Sequence, residues 1–296
     1  MIKRTIFITN PVSLSLKNKQ LVVSNKEDAV TSTIPIEDIG FVVIENNQVF
    51  ITIPTINELS ANNAAVIFCD SHHMPASMNV SFDANSIQSQ VFASQINAGI
   101  PLKKRCWKTV VEKKITNQIK VLEKYNIAHP QMNGLANDVK SGDTTNREAV
   151  AAKYYWSYLF GKDWHRERNG EYPNNLLNYG YAILRAATAR ALVGSGLLPT
   201  IGIHHHNKYN AFALADDIME PYRPYVDDMV VSYKNEHPNE KEVTKEFKIY
   251  MMDLLTRDTI FKSATRPLMI GLSHTSSSFV KTLEDKVKGV VFPIFG

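Results

Sequence analysis

The chain has 296 residues, 44% of them hydrophobic, and a formal net charge of +4. No apolar run reaches the ~18 residues of a membrane span, and MIKRTIFITNPVS lacks the apolar stretch and cleavage site of a secretory signal, so a cytoplasmic protein is expected. Cys69 and Cys106 form no CxxC pair and read as buried thiols, which excludes a disulfide scaffold. The small basic excess leans toward an acidic partner such as nucleic acid, without deciding it.

In chain order, TIFIT (5–9), LSLKNKQLVVS (14–24), VTSTIPI (30–36), IGFVVIE (39–45) and QVFITIP (48–54) read as strands rich in Val, Ile, Thr and Phe. Asn10-Pro11, Lys17-Asn18-Lys19 and Glu45-Asn46-Asn47 punctuate them, and the short spacing favours antiparallel hairpins. A short helix over 55–64 and a buried strand over 65–70 follow. The pattern then turns helical at 86–98 and 102–125, where Trp107, Val110, Val111, Ile115, Ile119 and Leu122 recur at three-to-four spacing. After a polar stretch, helices resume at REAVAAKYYWSYLFG, LLNYGYAILRAATARALVG, NAFALADDIMEP and EKEVTKEFKIYMMDLLT. The expected fold is α+β: a small N-terminal antiparallel β domain over 1–75, a linker over 76–88, and a larger, all-α-helical catalytic domain over 89–296.

Residues 202–221, GIHHHNKYNAFALADDIMEP, gather histidines and acids. On a helix beginning near Asn210, Asp217 and Glu220 share one face, and Pro221 ends it. Carboxylates one turn apart repel unless a cation sits between them, and hard oxygen donors suit Mg²⁺ or Mn²⁺. A solvated acidic face has the same spacing. In an extended 203–206 segment, His204 and His206 point one way and His205 the other, so the three cannot all serve one site. Upstream, Glu148, Ala152, Tyr155 and Leu159 form a stripe that puts Glu148 on the buried side of its helix, where a carboxylate needs a partner. Thr145-x-x-Glu148 also fits a capping box, and spacing by itself favours that role.

Several segments carry a resemblance to a known family. They are MIKRTIFITNPVSLSLKNKQLVV, CDSHHMP, NREAVAAKYYW, the long block from NNLLNYGYAILRAATARALVGSGLLPT to ADDIMEPYRPYVD, and TRPLM. Along essentially its whole length the chain resembles the CRISPR-associated integrase, the first-numbered Cas protein, in its type II branch. The resemblance implies a metal site of Glu148, His205 and Glu220, with Asp217 as a possible ligand through water, and it overturns the capping preference for Glu148. It implies Mg²⁺ or Mn²⁺ and strand transfer, in which 3′-OH ends of a prespacer duplex attack phosphodiesters at the CRISPR repeat. Two rival readings are a metal-dependent endonuclease acting on branched DNA and a non-catalytic DNA-binding scaffold.

The implied partners are double-stranded DNA, a second copy of the chain joined through the β domain, and a dimer of the second-numbered Cas protein. The type II effector nuclease and a ring-shaped accessory protein complete the set. In a DNA-binding context Lys103, Lys104, Arg105 and Lys108, continued by Lys113 and Lys114, become a phosphate track rather than a solvated helix face. Arg166 and Arg168 form a second basic cluster, and Asn178, Tyr181 and Arg185 share one helix face that would line a wall of the site, with core packing the alternative for Tyr181. Arg223 and Arg266 are candidates for pairing with the acids instead of with DNA.

Overall fold

The computed structural model describes residues 3–25, 31–81, 83–167 and 170–296; Arg168 lies outside these. The chain divides into two compact units, Met1–Ser86 and Ile87–Gly296.

In the first unit the strands are β1 (Arg4–Ile8), β2 (Ser13–Lys17), β3 (Gln20–Ser24), β4 (Thr31–Pro35), β5 (Ile39–Ile44) and β6 (Phe50–Ile51). Helix α1 (Ile53–Ala61), β7 (Ala65–Cys69) and β8 (Pro75–Asn79) follow. One sheet runs β4-β3-β2-β6 and the other β1-β5-β7-β8. Asn18 and Lys19, at φ of 50° and 58°, make the tight β2–β3 turn, matching the turn expected there. The wholly antiparallel expectation is corrected: β1 and β7 both flank β5 in parallel. Such pairing needs long crossovers, and β2 to β4 supply one and α1 the other. β5 is buried at every position, as a strand covered on both faces must be, which is why IGFVVI shows no alternation. The strand expected over 48–54 stops at Ile51, because Pro54 sits in the first turn of α1. Residues 76–88 are not one linker, since β8 pairs with β7 and Gln88 opens the next helix. Leu14, Leu21, Ile36, Val42, Leu59 and Val66 form the core of this unit.

The second unit contains α2 (Gln88–Ile96), α3 (Ile100–Lys124), α4 (Arg147–Phe160), α5 (Asn174–Gly194), α6 (Ala213–Met219), α7 (Arg223–Glu236) and α8 (Lys245–Met252). β9 (Asp258–Phe261), β10 (Ala264–Pro267) and α9 (Leu268–Leu283) close it. α5 is buried on most of its circumference and packs against α6, α7 and α9, while α3 packs against α4 and the 220–222 turn. The stripe expected on α3 is its buried face, with Trp107, Val110, Val111 and Ile115 at its centre.

Three expectations are corrected here. The unit is not all α, because β9 and β10 pair as an antiparallel hairpin around a polar turn. Helices α7 and α9 lie in stretches where no helix was expected. Pro221 does not end the helical path: Glu220–Tyr222 form a 3₁₀ turn that leads straight into α7, and proline is tolerated in a first turn. Among the described residues no helix is long and apolar enough to cross a membrane.

Candidate metal centre

Six segments of the helical unit build the site. α3 supplies Trp107 and Lys114, and α4 supplies Glu148. The 202–212 loop supplies His205, α6 Asp217, the following turn Glu220, and α7 Arg223.

The loop is wrapped around one buried carboxylate. Asp217 is 0% exposed. Its Oδ2 accepts the N–H groups of Ile203 at 2.6 Å and His204 at 2.9 Å. Its Oδ1 accepts the His205 N–H at 3.3 Å and lies 2.5 Å from His205 Nδ1. Gly202 makes the wrap possible: a Cβ there would stand 2.4 Å from the His205 carbonyl oxygen and 2.9 Å from Asp217 Oδ2. The bond to Asp217, reinforced by Glu220 and Glu148, holds the His205 imidazole above its ordinary pKa. It also sets the ring so that Nε2 is the nitrogen left to bind a ligand. Asp217 was expected as a ligand through water; with both oxygens committed, its geometry is that of a group that orients His205. His204 stacks flat on Trp107, centroids 4.1 Å apart at 3°, and Trp107 meets His205 edge-on at 5.8 Å. The His204 and His205 rings stand at 84° to each other.

Glu148 is not a cap. Asp143 accepts the Arg147 N–H at 2.8 Å and the Glu148 N–H at 3.0 Å, satisfying the first amides of α4 and leaving the Glu148 carboxylate to other partners. Glu148 Oε1 receives Lys114 Nζ at 2.7 Å. The same ammonium lies 2.6 Å from Glu220 Oε2, but off that oxygen's hydrogen-bonding direction, so Oε2 accepts no directed hydrogen bond. The other Glu220 oxygen accepts Arg223 Nε at 2.9 Å. Burial by itself would raise the Glu220 carboxyl; Arg223 and Lys114 outweigh it and hold the group at about 2. Burial would likewise lower the Lys114 ammonium, and Glu220 and Glu148 instead keep it above its usual value.

The residues expected to touch DNA divide into two groups. Lys104 and Arg105 are exposed at the start of α3, and Lys103 and Lys108 are half-buried, Lys108 lying 3.5 Å from Glu112. Arg166, Asn178, Tyr181 and Arg185 instead have partners within the helical unit, and Arg166, Asn178 and Arg185 remain partly exposed. Arg166 donates to Asn174 at 2.9 Å and to Asn178 at 2.6 Å. Arg185 donates to Asn210 at 2.8 Å and Asp216 at 2.7 Å, bracing the 202–212 loop. Tyr181 lies between the Arg166 and Arg223 guanidinium groups, 5.3 and 4.5 Å from its ring. Arg166 and Arg185 meet polar partners within the unit through their terminal nitrogens.

Tyr181 also donates to Asp227, as does Tyr155 at 2.9 Å. Sequence reasoning missed Asp227, because one acid within an amphipathic helix carries no signal of its partners. Burial pushes its carboxyl up to about 7 against the two phenol bonds. The folded value lies above the unfolded one, so the group favours folding at acid pH and loses that contribution as pH rises through about 7. Asp227→Asn is therefore expected to abolish a fall in Tm between about pH 4 and about pH 7, followed by circular dichroism. An undiminished fall would place the titration elsewhere.

Among the described residues no three His, Cys, Asp or Glu side chains stand preassembled around one metal position. The donor chemistry nonetheless fits a divalent cation. Glu148 and Glu220 already share one positive charge, Glu220 Oε2 is a buried oxygen without a directed donor, and His205 Nε2 is oriented by a carboxylate behind it.

A histidine held by a buried aspartate, near two glutamates that share a cation, is a donor set compatible with the divalent cations that nucleases and strand-transfer enzymes use on phosphodiesters. The chain belongs to the Cas1 family: the model for CRISPR associated protein Cas1 matches residues 6–264. It is 34% identical over 285 residues to the CRISPR-associated endonuclease Cas1 of Neisseria meningitidis serogroup C, covering 96% of this chain and 93% of that one. In fold it resembles a casposase bound to integration product, with a TM-score of 0.79 at 18% identity over 98% of this chain and 92% of that one. It also resembles a chain of a Cas6-RT-Cas1–Cas2 complex, with a TM-score of 0.73 at 19% identity over 96% of this chain and 35% of that one.

Proposed function

We propose that this chain is a CRISPR adaptation integrase that joins the 3′-OH ends of prespacer DNA to phosphodiesters at the CRISPR repeat, using Mg²⁺ or Mn²⁺ held by Glu148, His205 and Glu220. The observation that carries the reading is that Glu148 and Glu220 share one cation, with His205, held by Asp217, near enough to feel both charges. Two carboxylates with one imidazole suit Mn²⁺ and, with water completing the shell, Mg²⁺. When bound, the metal supplies Lewis-acid stabilisation of the attacking and leaving oxygens. The prespacer 3′-oxygen forms a bond to phosphorus as the repeat strand's P–O3′ bond breaks, and the proton lost by the nucleophile ends on the released oxygen. Arg223, fixed between Glu220 and the Tyr181 ring, holds the Glu220 carboxylate ionised and in place. Asp217 keeps His205 in the tautomer with Nε2 available.

Double-stranded DNA, with Lys104 and Arg105 on its phosphates, and a Cas2 dimer as spacer are the proposed partners, alongside a second copy of this chain. The casposase bound to integration product and the Cas1–Cas2 complex support that choice. The endonuclease name of the Neisseria relative supports a second reading, hydrolysis with water as nucleophile. An assay with 3′-OH and 3′-blocked duplexes, with and without Cas2, separates the two. Joined product from the 3′-OH duplex alone is expected; cleavage indifferent to the 3′ end would favour the nuclease.

A further inference from the structure

We infer that Lys114 is the internal counter-ion of the acidic site, and that its ammonium must leave Glu148 and Glu220 when a divalent cation takes its place. This rests on the metal-site reading of Glu148, His205 and Glu220 proposed above.

Three observations carry it. First, Lys114 Nζ stands 2.7 Å from Glu148 and 2.6 Å from Glu220, so a single ammonium spans the two carboxylates named as ligands. Second, both Glu220 oxygens are engaged by cations, Oε1 by Arg223 and Oε2 by Lys114, so neither faces an incoming ion unencumbered. Third, the two cations differ in freedom. Arg223 is held by the Tyr181 ring and by the start of α7. Lys114 sits at the end of a four-carbon stem whose contact with Glu220 is already misdirected.

Electrostatics gives the direction of movement. The side chain of Lys114 is 11% exposed and that of Glu220 7%, so charges here are poorly screened. An ammonium and a divalent ion on the same carboxylate oxygens would repel strongly at such range. With Lys114 removed from the pair, Glu148 would lose its ammonium partner and Arg223 would be left to offset the Glu220 charge, which is why an ion-free site retains Lys114. Lys114 thus serves the folded chain while costing metal affinity.

The test is calorimetric titration of Mn²⁺ into the full chain and its Lys114→Met variant, in the absence of DNA. The variant is expected to bind Mn²⁺ at least about tenfold more tightly, because nothing has to be displaced. Its Tm in EDTA should be lower than wild type and its Mn²⁺-induced rise in Tm larger. Equal or weaker Mn²⁺ binding by the variant overturns the inference while leaving the metal site intact. No Mn²⁺ uptake by wild type or variant overturns both. Should the variant fail to fold in EDTA, reductive methylation of wild-type protein mapped by mass spectrometry decides the question. Lys114 is expected to be protected in EDTA and to become reactive with saturating Mn²⁺. Equal protection in both conditions sinks the displacement.

Discussion

His205→Ala is expected to abolish strand transfer while leaving the fold in place. The ring is 41% exposed at its side chain, so little packing is lost with it. Asp217 keeps the three backbone N–H groups of Ile203, His204 and His205. What disappears is an imidazole held by Asp217 and near Glu148 and Glu220, and loss of several kcal/mol of transition-state stabilisation corresponds to a rate reduction on the order of 100-fold or more. His204→Ala removes a stacking contact on Trp107 instead, and should lower activity by less than about tenfold. A joined-product assay on both variants, with Tm as the control for folding, decides between them. Retained integration by His205→Ala would exclude His205 from the site, and equal loss from both would mean that the loop acts as a whole.

Asp217→Ala should be more damaging still, because it removes stability as well as activity. It leaves three buried or half-buried N–H groups and an imidazole without their acceptor, at a cost of roughly 3–5 kcal/mol. In a unit of this size that lowers Tm by about 10 °C. Metal affinity measured by titration with Mn²⁺ should fall roughly 10- to 100-fold from loss of ring orientation alone. Asp217→Asn keeps an acceptor oxygen but no charge, and should lie between alanine and wild type on both measures. A stable Asp217→Ala protein with unchanged Mn²⁺ affinity would contradict the wrapped-loop account.

Periodicity and resemblance carried the sequence reading a long way. The apolar stripe of α3 and the burial of Tyr155 on the face of α4 that also carries Glu148 follow from helix spacing. The alternation expected of His204 and His205 does not hold, because 203–206 is not a strand and both rings meet Trp107. Glu148 is the instructive case. Its spacing fits a capping box, and only the resemblance pointed away from one. The fold supplies the reason in Asp143, which lies before the helix in a left-handed turn at φ 50° and caps the amides itself. No spacing rule anticipates a cap provided by a preceding turn.

By itself, the sequence determined which faces of the helices are buried, where the β-rich segment yields to the helical one, and which acids and histidines are candidates for one site. Only the tertiary structure decided their partners. Lys114 reads as one more lysine on a basic helix, yet packing of α4 and the 220–222 turn against α3 makes it the bridge between two glutamates. Arg166 and Arg185 read as DNA contacts, and the fold also gives each a partner that spacing does not show, Asn178 and Asp216. The parallel pairing around β5 was equally hidden, since it depends on how long segments cross over. For the charged residues the physical reason is shared. Hydrophobic spacing encodes how much of a side chain leaves water, whereas a charge finds its partner from whichever element packs opposite, and that choice is made by the whole chain.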